Sequence, residues 1–360
     1  MDEIVAVARP VGDVFSVARP MGFVAISFLL SALAMPALIR WLRRLGMGKQ
    51  IRDASAAPIM AEMHKAKAGT PTMGGIVIWG TVLAMILLVA AGCALSSSPV
   101  SIACRVNFLT RAQTWLPLGL MMAAALVGLV DDYLNVKKIG SKGGGLQVRY
   151  RFISYGIIAA IGAWWFYSKL GWTHVHIPFV GSHEIGWLSI PFFLLVIAST
   201  SHSVNETDGL DGLAGGALLA SFGAYGAIAW AQGQTDLAAL CAVIIGALMG
   251  FLWFNVNPAQ VFMGDTGAMS LGTALGVIAL LTDQPLLLLI IGFPFVIETL
   301  SVIIQIASKK ILKRKLLKSA PLHHHLQASG WSEPKIVMRF WMISLALSGV
   351  GVAIALVDRF

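Results

Sequence analysis

Five aspartates stand at the ends of apolar stretches that are long enough to cross a membrane, and they are the first sign of chemistry. Asp131 and Asp132 end one stretch, Asp208 and Asp211 lie among glycines after another, and Asp265 precedes a third. Carboxylates at a membrane boundary are costly to desolvate unless they are paired or bound to a cation. Two adjacent carboxylates at a helix C-terminus also repel one another and oppose the helix dipole. The aspartates therefore predict a metal site, and one carboxylate of the pair Asp131 and Asp132 should be neutralised by Mg²⁺ or a lysine, or be protonated. A Mg²⁺ ion that binds a diphosphate is one such partner.

The segment that begins at Asn205 combines this amide with Asp208, Asp211 and four glycines. If the segment is helical, Asp208 and Asp211 share a face because they are three residues apart. Glycines let a ligand approach the backbone closely. A single aspartate here would be an ordinary helix cap, but an asparagine and two aspartates among glycines favour a binding site.

Two further segments carry side chains suited to a nucleotide. Lys65 and Lys67 precede a Gly-Thr-Pro turn that contains Thr70, where ammonium groups and the N–H groups of a helix start could hold phosphate. The alternative is a basic flank of a membrane helix. Phe262 stands three residues before Asp265, where it could either stack on a base or anchor the chain at the membrane interface.

A run of three histidines, His323, His324 and His325, follows a basic segment. In an extended segment His323 and His325 share one side and His324 points away. As imidazolium ions they could bind phosphate, and as neutral rings they could transfer protons; zinc ligation is the alternative.

Glu298 is the one charged residue in a long apolar stretch, where an ionisable side chain is a functional candidate by default. A buried structural hydrogen bond explains it equally well. Pro294 should kink this helix, and Gln305 should share the face of Glu298 because seven residues separate them.

The elements that must position these residues are membrane helices. The chain has 360 residues, of which 57% are hydrophobic and only 12% are charged, whereas soluble domains carry roughly a quarter charged residues. Ten stretches approach or exceed the roughly 20 apolar residues that a membrane helix needs, so we expect an all-α integral membrane protein with about ten transmembrane helices, and soluble enzymes and collagen-like or disordered chains are excluded. The stretches are 20–39, 68–104, 112–130, 152–168, 185–205, 212–235, 237–264, 266–282, 284–308 and 340–357.

Basic residues predict the orientation of this single domain, 1–360. Twenty of the 26 Lys and Arg residues fall in alternate loops, and basic loops favour the cytoplasm. Both termini are therefore expected outside, with the active site on the cytoplasmic face. A basic face also attracts anionic lipid and phosphorylated substrates, although topology alone accounts for it. The five cytoplasmic loops are 40–67, 131–151, 205–211, 255–266 and 309–339.

Cysteines are few. Cys93 and Cys104 flank one short loop and could form a bridge if that loop faces an oxidising space, while Cys241 would remain a helix residue. Three plain thiols are the favoured interpretation.

Together these loops resemble the phospho-N-acetylmuramoyl-pentapeptide transferase family, within the polyprenyl-phosphate N-acetylhexosamine-1-phosphate transferase superfamily. The resemblance runs over nearly the whole chain. Five motifs occur in order, each in a loop that charge assigns to the cytoplasm. They are Lys67 with 69–75, Asp131-Asp132-Tyr133, Asn205 with 207–212, 264–267, and 321–325.

The resemblance implies transfer of phospho-MurNAc-pentapeptide from UDP-MurNAc-pentapeptide to undecaprenyl phosphate, which gives lipid I and UMP with Mg²⁺ as cofactor. It implies that Asp265 is a metal ligand, with Asp131 and Asp132 beside the metal and the polyprenyl phosphate. It also implies a bacterial cytoplasmic membrane, a homodimer, sensitivity to nucleoside-type inhibitors and no nucleic acid partner. The residues implied in the nucleoside pocket are Asp208, Gly209, Leu210, Asp211, Asn255 and Phe262. Further contacts to the donor or to inhibitors are implied for Lys67, Thr70, Asn205, Gln305 and His325. His323 and His324 complete the catalytic histidine motif.

This chain departs from the family pattern at several positions. Asn135 and Arg151 stand where the family has lysines, and His202 and Glu206 replace a smaller amide and a leucine. A sister transferase that uses UDP-GlcNAc is the nearest alternative function. A secondary transporter is remote, because such a protein places ionisable residues near the midplane and here the aspartates gather at one surface.

Overall fold

The chain folds as a bundle of α-helices with one small β-hairpin. The computed structural model describes residues 11–48, 67–96, 101–108, 112–140 and 144–359. Within these ranges the chain forms thirteen α-helices. Long runs of apolar residues, without the alternation of apolar and polar residues that is typical of strands, favour this structure. The helices are α1 (Val11–Arg44), α2 (Gly75–Ala94), α3 (Ile102–Arg105), α4 (Ala112–Val136), α5 (Val148–Ser168), α6 (Ser189–Thr207), α7 (Leu213–Ala231), α8 (Thr235–Asn255), α9 (Gly264–Leu281), α10 (Leu288–Ile291), α11 (Phe293–Ile311), α12 (Leu322–Ala328) and α13 (Glu333–Val357), and the antiparallel hairpin is β1 (His174–Ile177) with β2 (Gly181–Glu184).

Eight of these helices are long and apolar enough to cross a membrane, or nine if one bent pair is a single span. The prediction of an all-helical, multi-pass membrane protein is therefore confirmed for the described residues, and the count of ten stays a prediction. The expected span 152–168 lies in α5, a helix of 21 residues that begins with Arg149 and Arg151 and is not among the eight. The eight are α1, α2, α4, α6, α7, α8, α9 and α13.

The bent pair lies where the sequence predicts a kink. The segments 285–291 and 293–311 meet at 84° around Gly292. Pro294 lies in the first turn of α11, where a residue without a backbone N–H costs the helix no hydrogen bond. Because of this break, α11, which carries Glu298 and Gln305, runs at a steep angle to the segment before it.

Helix α9 is the centre of the bundle, because every residue from Thr266 to Leu281 is buried. It packs against α4 on one side and α6 on another. Small residues allow this approach: a Cβ atom added at Gly272 would lie 2.7 Å from the Cα atom of Ser201 on α6. The N-terminus of α9 carries Asp265, so the central helix fixes this aspartate against its neighbours.

The β-hairpin and a disulfide bond lie at the end of the bundle opposite Asp265. Cys93 and Cys104 are bonded, and Cys241 is a buried free thiol. The prediction of three plain thiols is wrong, because the short helix α3 packs against α2 and the Cα atoms of Cys93 and Cys104 lie 4.4 Å apart, in the range that a disulfide requires.

Candidate active site

Three carboxylates from two helices meet at one end of the bundle. Asp131 and Asp132 lie near the end of α4, and Asp265 lies in the first turn of α9. Asp131 is fully buried and Asp132 is 6% exposed. The backbone N–H of Thr266 donates to Asp132 over 3.1 Å, so the start of α9 stabilises this anion. The structure thus brings together the three aspartates that the sequence predicts at a metal site.

Two glycines permit this convergence. A Cβ atom at Gly128 would lie 2.4 Å from the carbonyl oxygen of Asp265, so only glycine lets α4 approach α9 here. Gly264 has φ +73°, and a Cβ atom there would lie 2.4 Å from Oδ2 of Asp132. Both the left-handed backbone and the contact require glycine.

Arg151 is the cation of this cluster, and the sequence interpretation left it out of the site. Its Nη2 atom lies 2.5 Å from Oδ2 of Asp131 and 3.1 Å from Oδ2 of Asp265. Asn205 on α6 donates to Oδ1 of Asp265 over 2.7 Å, and the N–H of Leu146 donates to Oδ1 of Asp131 over 2.7 Å. The one signal in the sequence was the pair Arg149 and Arg151, which stands where the family has arginine and lysine.

The donor chemistry of the cluster suits Mg²⁺, which prefers carboxylate oxygens. Three carboxylates face one guanidinium, which leaves an excess of negative charge around the buried side chain of Asp131. Within the described residues, no three His, Cys, Asp or Glu side chains are arranged to hold a metal. Arg151 lies between Asp131 and Asp265. The residues fit the ion by chemistry and charge.

The Gly-Thr-Pro segment, residues 69–71, leads into the start of α2, which packs against the start of α9. The N–H of Gly75 donates to the carbonyl of Met263 over 2.9 Å, and a Cβ atom at Gly75 would lie 2.3 Å from the Cα atom of Gly267. Thr70 donates its N–H to the carbonyl of Lys67 over 3.3 Å, which forms the turn. Lys65, the second lysine expected to hold phosphate, lies outside the described residues.

Lys67 is fixed between two carboxylates. Its Nζ atom lies 2.7 Å from Oδ1 of Asp211 and 2.5 Å from Oε1 of Glu333, and it lies 5.9 Å from the ring centroid of Phe262. The second oxygen of Asp211 accepts hydrogen bonds from the side chain of Asn257 over 3.0 Å and from the N–H of Ala259 over 3.1 Å. Lys67, Asp211, Asn257 and Glu333 therefore lie in one cluster, although they are far apart in the chain.

The segment 208–212 is not helical, so the condition under which Asp208 and Asp211 would share a helix face is not met. Helix α6 ends at Thr207, α7 begins at Leu213, and Gly212 between them has φ +81°. Leu210 is 3% exposed and packs in a small apolar cluster with Ile336. Leu210, Asp211 and Gly212 are buried in this turn, and Asp208 and Gly209 are partly exposed.

The side chains of Asn255 and Phe262 are both buried in the protein. Asn255 is 3% exposed; it accepts from the N–H of Gly212 over 3.0 Å and donates to the carbonyl of Val261 over 2.8 Å. It therefore ties the two loops together. Phe262 is 8% exposed beside Lys67, so it does not lie in lipid as a membrane anchor.

The histidines lie on the short helix α12, which corrects the expectation of an extended segment. Glu298, fully buried on α11, caps this helix: its carboxylate accepts from the N–H of His323 over 3.2 Å and contacts Nδ1 of His323 at 3.0 Å. A carboxylate at a helix start satisfies N–H groups that have no partner within the helix. The structural role considered for Glu298 is the one that the contacts support.

The three histidines face different partners. A Cβ atom at Gly209 would lie 2.3 Å from Nε2 of His323, so His323 packs directly on the aspartate-rich turn. Nδ1 of His324 lies 3.0 Å from the side-chain oxygen of Gln327. Nδ1 of His325 accepts the N–H of Lys318 over 3.1 Å, so Nε2 carries the proton when the ring is neutral. These Nδ1 atoms do not converge on one point as zinc ligands would.

Gln305 is buried on α11 and is engaged with the loop that follows its own helix. Its oxygen accepts the N–H groups of Leu316 and Leu317 over 3.2 and 3.0 Å, and its nitrogen donates to the carbonyl of Leu317 over 2.8 Å. These bonds fold the basic segment back towards the histidines. A contact between Gln305 and a ligand stays a prediction.

Glu333 is the second site residue that the sequence interpretation missed. Its carboxylate contacts Lys67 and also accepts the N–H of Asp211 over 2.7 Å. The sequence contains only an acidic residue before a proline at a helix start, which is an ordinary helix signal.

Comparison with known proteins gives consistent matches. Glycosyl transferase family 4 matches residues 114–283, and the phospho-N-acetylmuramoyl-pentapeptide-transferase signature 1 matches residues 67–78. The chain is 41% identical over 332 residues to the phospho-N-acetylmuramoyl-pentapeptide-transferase of Geobacillus thermodenitrificans, covering 92% of this chain and 96% of the relative. It is 40% identical over 353 residues to the protein of that name from Chloroflexus aurantiacus, with 94% and 90% covered. The protein of that name from Bacillus anthracis is 39% identical over 332 residues, with 91% and 95% covered.

Proposed function

The chain belongs to the phospho-N-acetylmuramoyl-pentapeptide-transferase family, and from this premise we propose how its residues carry out the reaction. The protein is a phosphoglycosyl transferase that moves phospho-MurNAc-pentapeptide from UDP-MurNAc-pentapeptide to undecaprenyl phosphate and releases UMP and lipid I. The observation that carries the proposal is the placement of two polar clusters side by side at one end of an apolar bundle. One cluster holds Asp131, Asp132 and Asp265, and the other holds Lys67 and Asp211.

The protein spans the bacterial cytoplasmic membrane ten times, with both termini outside and the site on the cytoplasmic face. Twenty of the 26 Lys and Arg residues fall in three of the five loops that we assign to the cytoplasm, in keeping with the excess of basic residues in cytoplasmic loops. The disulfide between Cys93 and Cys104 lies at the end of α2 away from the site, and an oxidising space outside the membrane suits it. The tenth span would be α5.

Asp265, Asp131 and Asp132 would hold Mg²⁺. When bound, the ion would neutralise negative charge on the diphosphate of the donor, which is the main requirement of phosphoryl transfer. Around it, Asn205 orients Asp265 through a hydrogen bond of 2.7 Å, and the N–H of Thr266 stabilises Asp132. These residues position the carboxylates before any substrate arrives.

The nucleoside end of the donor would bind at the cluster of Lys67 and Asp211. Phe262 offers a ring face next to the Lys67 ammonium, and an aromatic face of this kind can stack on uracil. In the turn 208–212, Asp208 and Gly209 are partly exposed and offer backbone groups to the nucleoside.

Catalysis proceeds by direct attack. An oxygen of undecaprenyl phosphate forms a bond to the phosphorus that carries the sugar, the bond from this phosphorus to the bridging oxygen breaks, and UMP leaves. A carboxylate of the cluster accepts the proton of the attacking phosphate when that phosphate is protonated. His325, with the proton on Nε2, can donate a hydrogen bond to a phosphate oxygen at the rim of the site.

A measurement of UMP release tests the proposal. Purified protein in detergent is supplied with undecaprenyl phosphate and either UDP-MurNAc-pentapeptide or UDP-GlcNAc, each with Mg²⁺ and with EDTA. We expect UMP only from the muramoyl donor and only with Mg²⁺. Release from UDP-GlcNAc instead would assign the sister reaction, and equal release with EDTA would remove the metal from the mechanism.

A further inference from the structure

The side chain of Glu333 joins the last long helix to the nucleotide end of the site. It is the first residue of α13, and its side chain is 13% exposed. One oxygen, Oε1, lies 2.5 Å from Nζ of Lys67 and 2.7 Å from the N–H of Asp211. Lys67 and Asp211 are themselves 2.7 Å apart. Two salt bridges and one backbone hydrogen bond therefore connect these three residues in a closed set.

A helix cap alone does not explain these contacts. An acidic residue in the first turn of a helix is stabilised by the helix dipole, and any orientation near the helix axis satisfies this preference. The carboxylate of Glu333 is instead engaged with a lysine and a backbone N–H that lie more than a hundred residues away in the chain. Trp341, two turns further along α13, donates to the carbonyl of Gly212 over 3.0 Å, so the same helix contacts the same turn twice.

The consequence concerns the conformation of Lys67. A lysine side chain has many rotamers, and its ammonium has three N–H donors. Two carboxylates beside the ammonium select one rotamer, which places Nζ 5.9 Å from the centroid of Phe262. The ordering is achieved before a ligand binds, and such pre-organisation improves affinity because less conformational entropy is lost on binding.

We propose that Glu333 is a positioning residue that orients the Lys67 ammonium and the Asp211 turn for the uridine nucleotide. The proposal rests on the function proposed above, since it takes a uridine nucleotide as the ligand. Glu333, at the start of α13, would thus contribute to binding of the donor. It would not contribute to binding of the lipid substrate or to the cluster of Asp131, Asp132 and Asp265.

The sign of one measurement separates positioning from simple electrostatics. Glu333→Gln removes a negative charge close to where an anionic nucleotide binds, so electrostatics alone would tighten the binding of UMP. Loss of positioning would weaken it. We expect the Kd of UMP to rise about tenfold, the effect of losing one hydrogen bond to a charged group.

The experiment uses the full chain in detergent. UMP affinity is measured for the wild type, Glu333→Gln, Glu333→Ala and a matched control, Glu184→Gln, which neutralises an exposed glutamate on the distant hairpin. In turnover we expect the KM of the UDP-sugar to rise in both Glu333 variants, with kcat and the KM of undecaprenyl phosphate close to wild type. UMP binding that is unchanged or tighter in folded Glu333→Gln, or a fall in kcat alone, would overturn the proposal.

A double-variant test asks whether Glu333 acts through Lys67. In a Lys67→Met background, Glu333→Gln should weaken UMP binding by less than twofold further. Fully additive losses would overturn the proposal. A wild type that binds UMP but transfers no muramoyl phosphosugar would refute the proposed function alone, because the comparison of UMP affinities still decides the role of Glu333. A wild type that does not bind UMP would overturn both.

Discussion

Glu298 caps the helix that begins beside His323. The carboxylate lies in a fully buried position on α11, accepts the backbone N–H of His323 over 3.2 Å and contacts its ring Nδ1 atom at 3.0 Å. Because the cap comes from a different helix, 25 residues earlier in the chain, it fixes both the start and the orientation of the histidine helix. Gly209 lies against the Nε2 edge of the His323 ring, so His323 couples α11 to the aspartate-rich turn.

We expect Glu298→Ala to destabilise the protein and to lower kcat. The change leaves the N–H and the ring nitrogen of His323 buried without their acceptor, which costs about 1.5 to 3 kcal/mol for hydrogen bonds to a charged group. Thermal unfolding in detergent and kcat measured well below the melting temperature check this. Thr299→Ala, one residue along the same helix, is the control, and an equal loss in both variants would contradict a specific cap.

The loss of Asp265 should abolish turnover without loss of folded protein. In Asp265→Ala the first turn of α9 loses its carboxylate, while its backbone contacts to Gly75 and Asp132 remain. A fall in kcat on the order of a thousandfold is expected, the scale of losing one charge-neutralising group in phosphoryl transfer. UMP release and a melting curve decide the case, and wild-type UMP release from the variant would refute a metal role for Asp265.

Phe262→Ala should raise the KM of the UDP-sugar roughly tenfold, because stacking of a base on an aromatic ring contributes about 1 to 3 kcal/mol. The KM of undecaprenyl phosphate should change far less. Steady-state kinetics with each substrate varied in turn give the comparison. Since Phe262 is also 8% exposed and packed, a parallel melting curve separates a lost stacking surface from a loosened core. Equal shifts for both substrates would argue against the pocket.

The sequence predicts part of this site and not the rest, for a physical reason. Asp131, Asp132 and Asp265 are predictable because each follows or precedes an apolar span, and span ends on one side of a membrane must lie at the same depth. Arg151 and Glu333 are not, because their partners depend on how helices rotate and pack, and each looks like an ordinary residue near a helix start. The helix at His323 was missed for the same reason: its capping carboxylate comes from α11.

Replacement of Arg151 should make the thermal stability of the protein depend on Mg²⁺. In the wild type its guanidinium lies between Asp131 and Asp265 and offsets their repulsion. Arg151→Gln leaves three carboxylates without this cation, so without divalent ions the variant should melt at a lower temperature than the wild type. Added Mg²⁺ should raise the melting temperature of the variant more than that of the wild type.

The matched control for this experiment is Arg149→Gln, two residues away on an exposed position of the same helix. It should behave as the wild type does with and without Mg²⁺. If Mg²⁺ stabilises neither the wild type nor Arg151→Gln, the cluster does not hold the ion, whatever the activity of the enzyme is. Stabilisation of both arginine variants to the same extent would point to a general effect of cations on the basic loops.

At the opposite end of the bundle, the hairpin should detach in acid. Asp358 follows α13; its Oδ1 accepts the N–H of Phe179 over 2.5 Å and its Oδ2 lies 2.5 Å from Nε2 of His176. Burial alone would raise the pKa of Asp358, but these hydrogen bonds outweigh the effect of burial and hold the pKa below the ordinary value of 3.8.

A carboxyl whose pKa is lowered by folding stabilises the protein above its unfolded pKa, and this contribution is lost as the pH falls through the lowered value. The melting temperature of the wild type should therefore fall more steeply below about pH 3.8 than that of Asp358→Asn. Because Asp358→Asn keeps the shape of the side chain and lacks the titration, parallel curves for the two proteins would show that the contact between the hairpin and α13 contributes nothing to the acid sensitivity.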